Sequence, residues 1–298
     1  MKCKVIRFIP AGALLCIALA SCKKNDQPMP SSSQAAVSPS LLLATTNTIV
    51  AAGSEQNNDL AEIMGSNIVA GGDSTSCRVV TYNPVRTAFP HLTTIDFGNG
   101  CTGPDGFTRS GKKFITVYAD WRTAPAGTLI SETTFGNFYI DSVNISGNIK
   151  TYIDTAASPG PLALKVITEK TITDMKGNTS TYTATSYWLQ TAGDSTTTRK
   201  DNVYRITGSA SGTEVLGDSL SVAWTSGIDP ANPVIKMGDC MFRSQGTVLI
   251  TLNVDGMSKA YETLDYGNGT CDNIATLSIN GNTPQQVTLP LHFWPLGM

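Results

Sequence analysis

Asp96-Phe97-Gly98-Asn99-Gly100-Cys101 and Asp265-Tyr266-Gly267-Asn268-Gly269-Thr270-Cys271 are two copies of one pattern. Each reads as a strand end, an Asn-Gly turn and a cysteine at the exit. Asn-Gly is the strongest short turn signal, because a type I′ turn needs positive φ at both central residues, which Asn tolerates and Gly adopts without steric cost. Alternating side chains precede each copy, Leu92 to Phe97 and Tyr261 to Tyr266, and a further cysteine lies upstream, Cys77 or Cys240. The layout in both halves is cysteine, strand, turn, strand, motif, cysteine.

Local pairing, Cys77 with Cys101 and Cys240 with Cys271, is the simplest connectivity, although four cysteines allow three. The closed loops are 25 and 32 residues long counting both cysteines. Loop-closure entropy gives each clasp about 3 to 4 kcal/mol, a large share of the ~5 to 15 kcal/mol that holds a domain folded.

Working outward, the chain from Cys77 on is period two almost everywhere. Ile115, Val117, Ala119 and Trp121 share one strand face, as do Leu220, Val222 and Trp224, and Val248, Ile250, Leu252 and Val254. Runs from Tyr139 to Ile145 and from Ser180 to Gln190 are set off by breaks at Ser146-Gly147-Asn148 and Lys176-Gly177-Asn178, which read as hairpin turns. The fold class is therefore all-β, with roughly fifteen strands in an antiparallel sandwich or a long curved meander. A transmembrane barrel is disfavoured, since one face is Thr, Ser, Lys and Asn where lipid would demand an apolar band. The halves from Cys77 to Trp188 and from Asp201 onward form either one sheet system with repeated clasps, the reading preferred, or two domains.

The amino end carries Lys2, Lys4 and Arg7 followed by an apolar run, Ala11 to Ala20. This is a secretory signal, residues 1–21. The sequence Leu19-Ala20-Ser21-Cys22 resembles the lipobox of bacterial lipoproteins, which implies a lipid on Cys22 and a membrane partner reached through that anchor. The apolar run falls short of the ~20 residues that span a bilayer. Lys23 after the cysteine, by resemblance to lipoprotein sorting, implies the outer membrane, and Cys22-Lys23-Lys24-Asn25-Asp26 resembles the starts of Bacteroidota lipoproteins displayed at the cell surface. Of seven cysteines, Cys3 and Cys16 leave with the signal and Cys22 is lipidated, so four remain, the even number an oxidising compartment pairs.

Residues 22–50 are rich in Ser, Pro and Ala and form a tether, a coil of roughly 30 Å root-mean-square span. In the following segment, 51–76, Leu60, Ile63, Met64 and Ile68 recur at helical spacing between Asn58 and Gly72, predicting one short helix. Loss of the signal takes 21 basic residues to 18 against 23 acidic, a formal net charge of −5. With that sign and no basic run beyond Lys23-Lys24, nucleic acid is not an expected partner.

Chemistry is sparse. No His and Cys spacing suggests zinc, and no cofactor motif is present. Asp96, Asn99 and Asp105, and Asp265, Asn268 and Asp272, offer hard oxygens that would suit calcium or a ligand, but neither loop follows the EF-hand pattern, and turn chemistry explains the same residues. Asp96 and Asp265 together would make an acid-base pair only if they approached each other. Arg109 and Lys112 beside Asp105 would close an anion site or form a surface ion pair. Gly217-Asp218-Ser219-Leu220-Ser221 resembles the nucleophile block of the Gly-Asp-Ser-Leu hydrolases, but it lies late in the chain, and neither His91 nor His292 stands in the Asp-x-x-His setting of that family. The expectation is a protein that is not an enzyme.

Aromatic residues are the remaining candidates. Trp121, Trp188, Trp224 and Trp294, with Tyr139, Tyr187 and Tyr266, would suit a sugar-stacking platform. Trp121 and Trp224 lie in register with aliphatic neighbours and read as core, which leaves Trp188 and Trp294 as the tryptophan candidates.

The block Asp96 to Gly106, followed by Arg109-Ser110-Gly111-Lys112, Thr134-Phe135, Asn137-Phe138, Ile206 to Gly212 and Asp265 to Asp272, resembles a family of uncharacterised Bacteroidota outer-membrane and surface lipoproteins. The resemblance implies location and fold but carries over no site. Three functions stay open at this point: a lipid-anchored binding module for a glycan or an envelope protein, a structural component of the outer envelope, and a hydrolase.

Overall fold

The structure is a computed structural model and describes residues 77–103, 107–155, 161–193, 201–216, 220–240, 242–254 and 258–289. Cys22, the tether, the helix expected between residues 58 and 72, Asp105, Ser219, His292 and Trp294 lie outside the described residues.

Among the described residues, one antiparallel sheet holds fifteen strands. They are β1 (Val79–Asn83), β2 (His91–Asp96), β3 (Cys101–Thr102), β4 (Thr108–Val117), β5 (Leu129–Ile140), β6 (Val143–Ile153), β7 (Ala163–Thr173), β8 (Thr179–Ala192), β9 (Val203–Leu216), β10 (Leu220–Ile228), β11 (Val234–Met237), β12 (Gln245–Val254), β13 (Ser258–Asn268), β14 (Ile274–Ile279) and β15 (Gln285–Thr288). The path runs β1-β2-β4-β5-β6-β7-β8-β9-β10-β12-β13-β14-β15, so almost every strand pairs with its neighbour in sequence. Of the two architectures expected, the long meander is the one formed. Both halves of the chain share it.

Two strands leave the path. β3 pairs only with β4, and β11 follows β10 end to end in the slot between β9 and β12, pairing with Val203–Ile206 of β9 where β10 pairs with the later part of that strand. The twin motifs stand near opposite margins of the sheet, one after β2 and the other at the end of β13.

Strand alternation makes one face apolar. Ile115, Ile130, Phe138, Val166, Leu252 and Leu264 are essentially inaccessible, and their faces line the core. This inner face also holds buried Thr133, Thr151 and Thr168, whose β-branched shape packs like Val. Lys113 is buried there as well, its ammonium 5.0 Å from the Phe138 ring centre. Arg243 donates to the Tyr266 hydroxyl at 3.2 Å, its guanidinium 5.7 Å from that ring's centre.

The local pairings form, with Cα separations of 5.4 Å for Cys77–Cys101 and 5.6 Å for Cys240–Cys271. Other local expectations are corrected. Ser146-Gly147-Asn148 is not a turn but the interior of β6. The chain reverses instead at Asp141-Ser142, inside the run taken as one strand, where both residues have positive φ (45° and 74°), as a type I′ turn demands. Gly147 has φ +112°, and a Cβ there would collide with the Glu169 carbonyl of β7. The glycine thus serves close strand approach at a bulge. Trp121 lies in a turn beyond the end of β4, still packed on the core, rather than in the strand itself.

Candidate functional site

The twin motif is a turn, but not the one its Asn-Gly dipeptide announces. In the first copy Asp96 Oδ1 accepts the Gly98 amide at 2.8 Å, and in the second Asp265 Oδ1 accepts the Gly267 amide at 2.8 Å. Positive φ falls on Gly98 (+58°) and Gly267 (+92°), and in the second copy again on Gly269 (+109°), while neither Asn99 nor Asn268 has positive φ. Both copies are aspartate-capped turns, and the aromatic between Asp and Gly, Phe97 or Tyr266, turns inward and is buried.

Asp96, Asp265, Asn268 and Asp272 are drawn into the turns themselves. Asp96 also pairs with Lys112 at 2.9 Å, and the Lys112 hydrogen bond, with that of the Gly98 amide, holds its carboxyl below the usual range. In the second loop Asn268 Oδ1 accepts the Thr270 hydroxyl at 3.0 Å and Asp272 Oδ1 accepts the Ile274 amide at 2.9 Å. Among the described residues no group of three His, Cys, Asp or Glu side chains is placed to share a metal. Asp96 and Asp265 sit on β2 and β13, each committed to its own turn. Arg109 is buried on the inner face over the Phe107 ring, so it does not join Lys112 in a surface anion site.

The tryptophan expectation also changes. Trp188 is 5% exposed, packs edge-on to Tyr204 and donates its indole N–H to Ser186 Oγ at 2.9 Å. It belongs to the core and offers no surface platform. Trp224 and Tyr266 are buried too. His91 is 6% exposed, its Nδ1–H donating to the Ala88 carbonyl at 2.7 Å, a structural position at the start of β2.

What the first motif does build is one wall of an outer-face groove of about 620 Å³, lined by Asn99, Thr108, Ser110, Tyr139, Asp141 and Ser142. Ser110 of β4 stands opposite Tyr139 of β5 in the ladder and forms the floor with it. The second wall is the type I′ turn between β5 and β6. That turn is locked to the start of β4 by two bonds, the Thr108 amide to Asp141 Oδ1 (2.8 Å) and the Asp141 amide to the Thr108 carbonyl (2.9 Å). On the other side the Phe97 amide donates to the Gly111 carbonyl and the Gly111 amide to the Gly98 carbonyl, both at 2.9 Å, which docks the motif loop on β4.

Inside this frame Tyr139 is 38% exposed. Among the described residues, its hydroxyl, the Asn99 amide and the Ser110 and Ser142 hydroxyls make no hydrogen bond to the protein. The groove therefore offers one amphipathic ring and several uncommitted donors and acceptors. It has a single carboxylate, Asp141, already bonded to the backbone, where the usual glycoside hydrolysis needs two. Asn99 was a candidate from the motif. Its companions come from residues up to 43 positions later, and only Tyr139 among them carried a sequence signal, its aromaticity.

No family model, no curated protein and no solved structure matches the chain.

Proposed function

We propose that this protein is a carbohydrate-binding module of the cell envelope, carried on a lipid at Cys22 and working by recognition rather than by bond cleavage. The observation that carries the reading is the groove: an exposed tyrosine ring flanked by an uncommitted amide and hydroxyls on a rigid frame. An apolar ring face suits the C–H face of a sugar, and fixed amide and hydroxyl groups suit its hydroxyls, so orientation and specificity come from the same few residues. The lipobox resemblance and the oxidised clasps support an address outside the cytoplasm.

A thermal-shift screen of the full chain against a glycan panel tests this. A ligand at a hundredfold excess over its dissociation constant stabilises the folded state by about 2.7 kcal/mol, which raises Tm by roughly 5 to 10 °C in a domain of this size. The rise is expected with at least one glycan and should vanish in Tyr139→Ala while the unliganded Tm holds. A flat panel, or a rise that survives Tyr139→Ala, sinks the groove as the site and turns attention to a structural role in the envelope.

A further inference from the structure

A second feature lies on the outer face at the other end of β4. The ladders of β6 through β9 line up Tyr152 opposite Lys165, Lys165 opposite Tyr187 and Tyr187 opposite Thr207. Tyr118 extends this line past β5: its amide bonds the Ile130 carbonyl, and its hydroxyl donates to Glu132 Oε2 at 3.3 Å. Tyrosines thus recur on every second strand, with Tyr118 and Tyr187 each 39% exposed. Adjacent strands lie ~4.8 Å apart, so successive rings fall ~9.6 Å apart, the length of a disaccharide in an extended β-linked chain.

Charge sorts the ligands. Lys150, in the neighbouring row, is occupied by Glu132 at 3.6 Å. Lys165, between two of the tyrosines, has no ion pair among the described residues, and neither has exposed Arg205, which stands opposite Leu189 and so lies diagonally across from Tyr187. The carboxylates near the line include Glu132, held by Lys150 and Tyr118, Asp120, paired with Arg122 at 3.5 Å, and Asp154 just after β6. Two uncompensated cations beside a ladder of rings match a chain that carries carboxylates along its length.

We infer that Tyr118, Tyr152 and Tyr187, with Lys165 and Arg205, form a track for an extended anionic polysaccharide laid across the strands. The rings stack on alternate sugars and the two cations pair with uronate carboxylates. The track is separate from the groove and uses none of its residues.

Calorimetric titration of the full chain with β-linked polymannuronate, and with neutral hydroxyethylcellulose as its uncharged counterpart, tests the assignment. Polymannuronate is expected to bind at least tenfold more tightly, with affinity falling as salt rises. Lys165→Gln with Arg205→Gln, which spares every ring, should weaken binding and flatten the salt dependence. Tyr187→Ala should cost about fivefold to tenfold, while Tyr261→Ala, an exposed tyrosine off the line, should not. Equal binding of the two polymers, no binding of either, or an unaffected double glutamine variant of unchanged Tm overturns the track. Loss of binding in Tyr139→Ala with Tyr187→Ala unaffected moves the acidic chain to the groove, which refutes the track and spares the glycan reading.

Discussion

Opening either disulfide should cost nearly the same stability yet only one should disturb the groove. The Cys77–Cys101 bridge spans a sequence separation of 24 and the Cys240–Cys271 bridge one of 31. Because the entropy removed from the unfolded chain grows only with the logarithm of loop length, the two contribute about 3.5 and about 3.7 kcal/mol. The paired variants Cys77→Ser/Cys101→Ser and Cys240→Ser/Cys271→Ser should therefore lower the urea midpoint by similar amounts, roughly 1 to 2 M at a slope of about 2 to 3 kcal/mol/M. Losing both, roughly 7 kcal/mol, removes much of a typical domain's stability and should leave a largely unfolded chain. Position breaks the symmetry. Asn99 lies inside the first clasp two residues from Cys101, whereas every residue lining the groove lies outside the second. Amide hydrogen exchange should then show lost protection at Phe97 and Gly111, whose bonds dock the loop on β4, in the first paired variant only. Costs that differ by more than about 2 kcal/mol would refute the loop-entropy argument. Unchanged exchange at Phe97 and Gly111 in the first variant would refute the claim that its clasp positions the groove.

Two further outcomes follow from backbone and burial. Gly147→Ala forces a side chain into φ +112° and against the Glu169 carbonyl, so about 2 to 3 kcal/mol should be lost; Gly177→Ala, at φ +87° with open space around it, should lose only about 1 kcal/mol, and equal costs by urea unfolding would show that close approach of β6 and β7 is not the constraint. Lys236 reaches the Met237 and Cys240 carbonyls, but burial, with Arg243 nearby, pushes its ammonium down to about 8. The unfolded chain then holds one more proton than the folded one from about pH 8 to 10.5, so stability should rise over that window by up to about 1.4 kcal/mol per pH unit. Tyr182, pushed up to about 12 mainly by burial, acts in the opposite direction, and its contribution is lost from about pH 10 upward. Lys236→Met should flatten the rise between pH 8 and 10 whatever it does to absolute stability, and a rise that persists in that variant assigns it to another group.

Much of the fold was legible because period-two alternation is a local signal. The inner faces read from Ile115 and Val117, from Val222 and Trp224, and from Val248 to Val254 are the inner faces formed. The clasps were legible because each cysteine pair brackets a single hairpin. Three local signals were misleading. A glycine needed for close approach to another strand looks like a glycine needed for a turn, which is why Gly147 read as a break. Asn99-Gly100 and Asn268-Gly269 advertise a type I′ turn, but the upstream aspartates cap Gly98 and Gly267 first, and the dipeptides follow. The competing signal, Asp two residues before Gly, was present in both copies. Trp188 shares its inward side with Ala184 and Gln190, a mixed row whose polarity hides the burial of the ring. The groove and the tyrosine line depend on registers set by several hairpins in succession, and register is a property of pairs of strands rather than of one.

The placement of the first clasp also sets how the domain answers a mechanical pull. Tension entering through the chain that precedes Cys77 does not load β1 and β2, because the disulfide carries it directly to Cys101 and the short strand that pairs with β4. The β1–β2 hairpin is thereby shunted out of the load path and cannot be peeled away from that end. Load passes through β3 to its partner β4, which is hydrogen bonded to β2 on one side and β5 on the other. If the chain is tethered by its amino end and holds a polymer on its outer face, as proposed above, resistance to drag would begin at a strand anchored on both flanks.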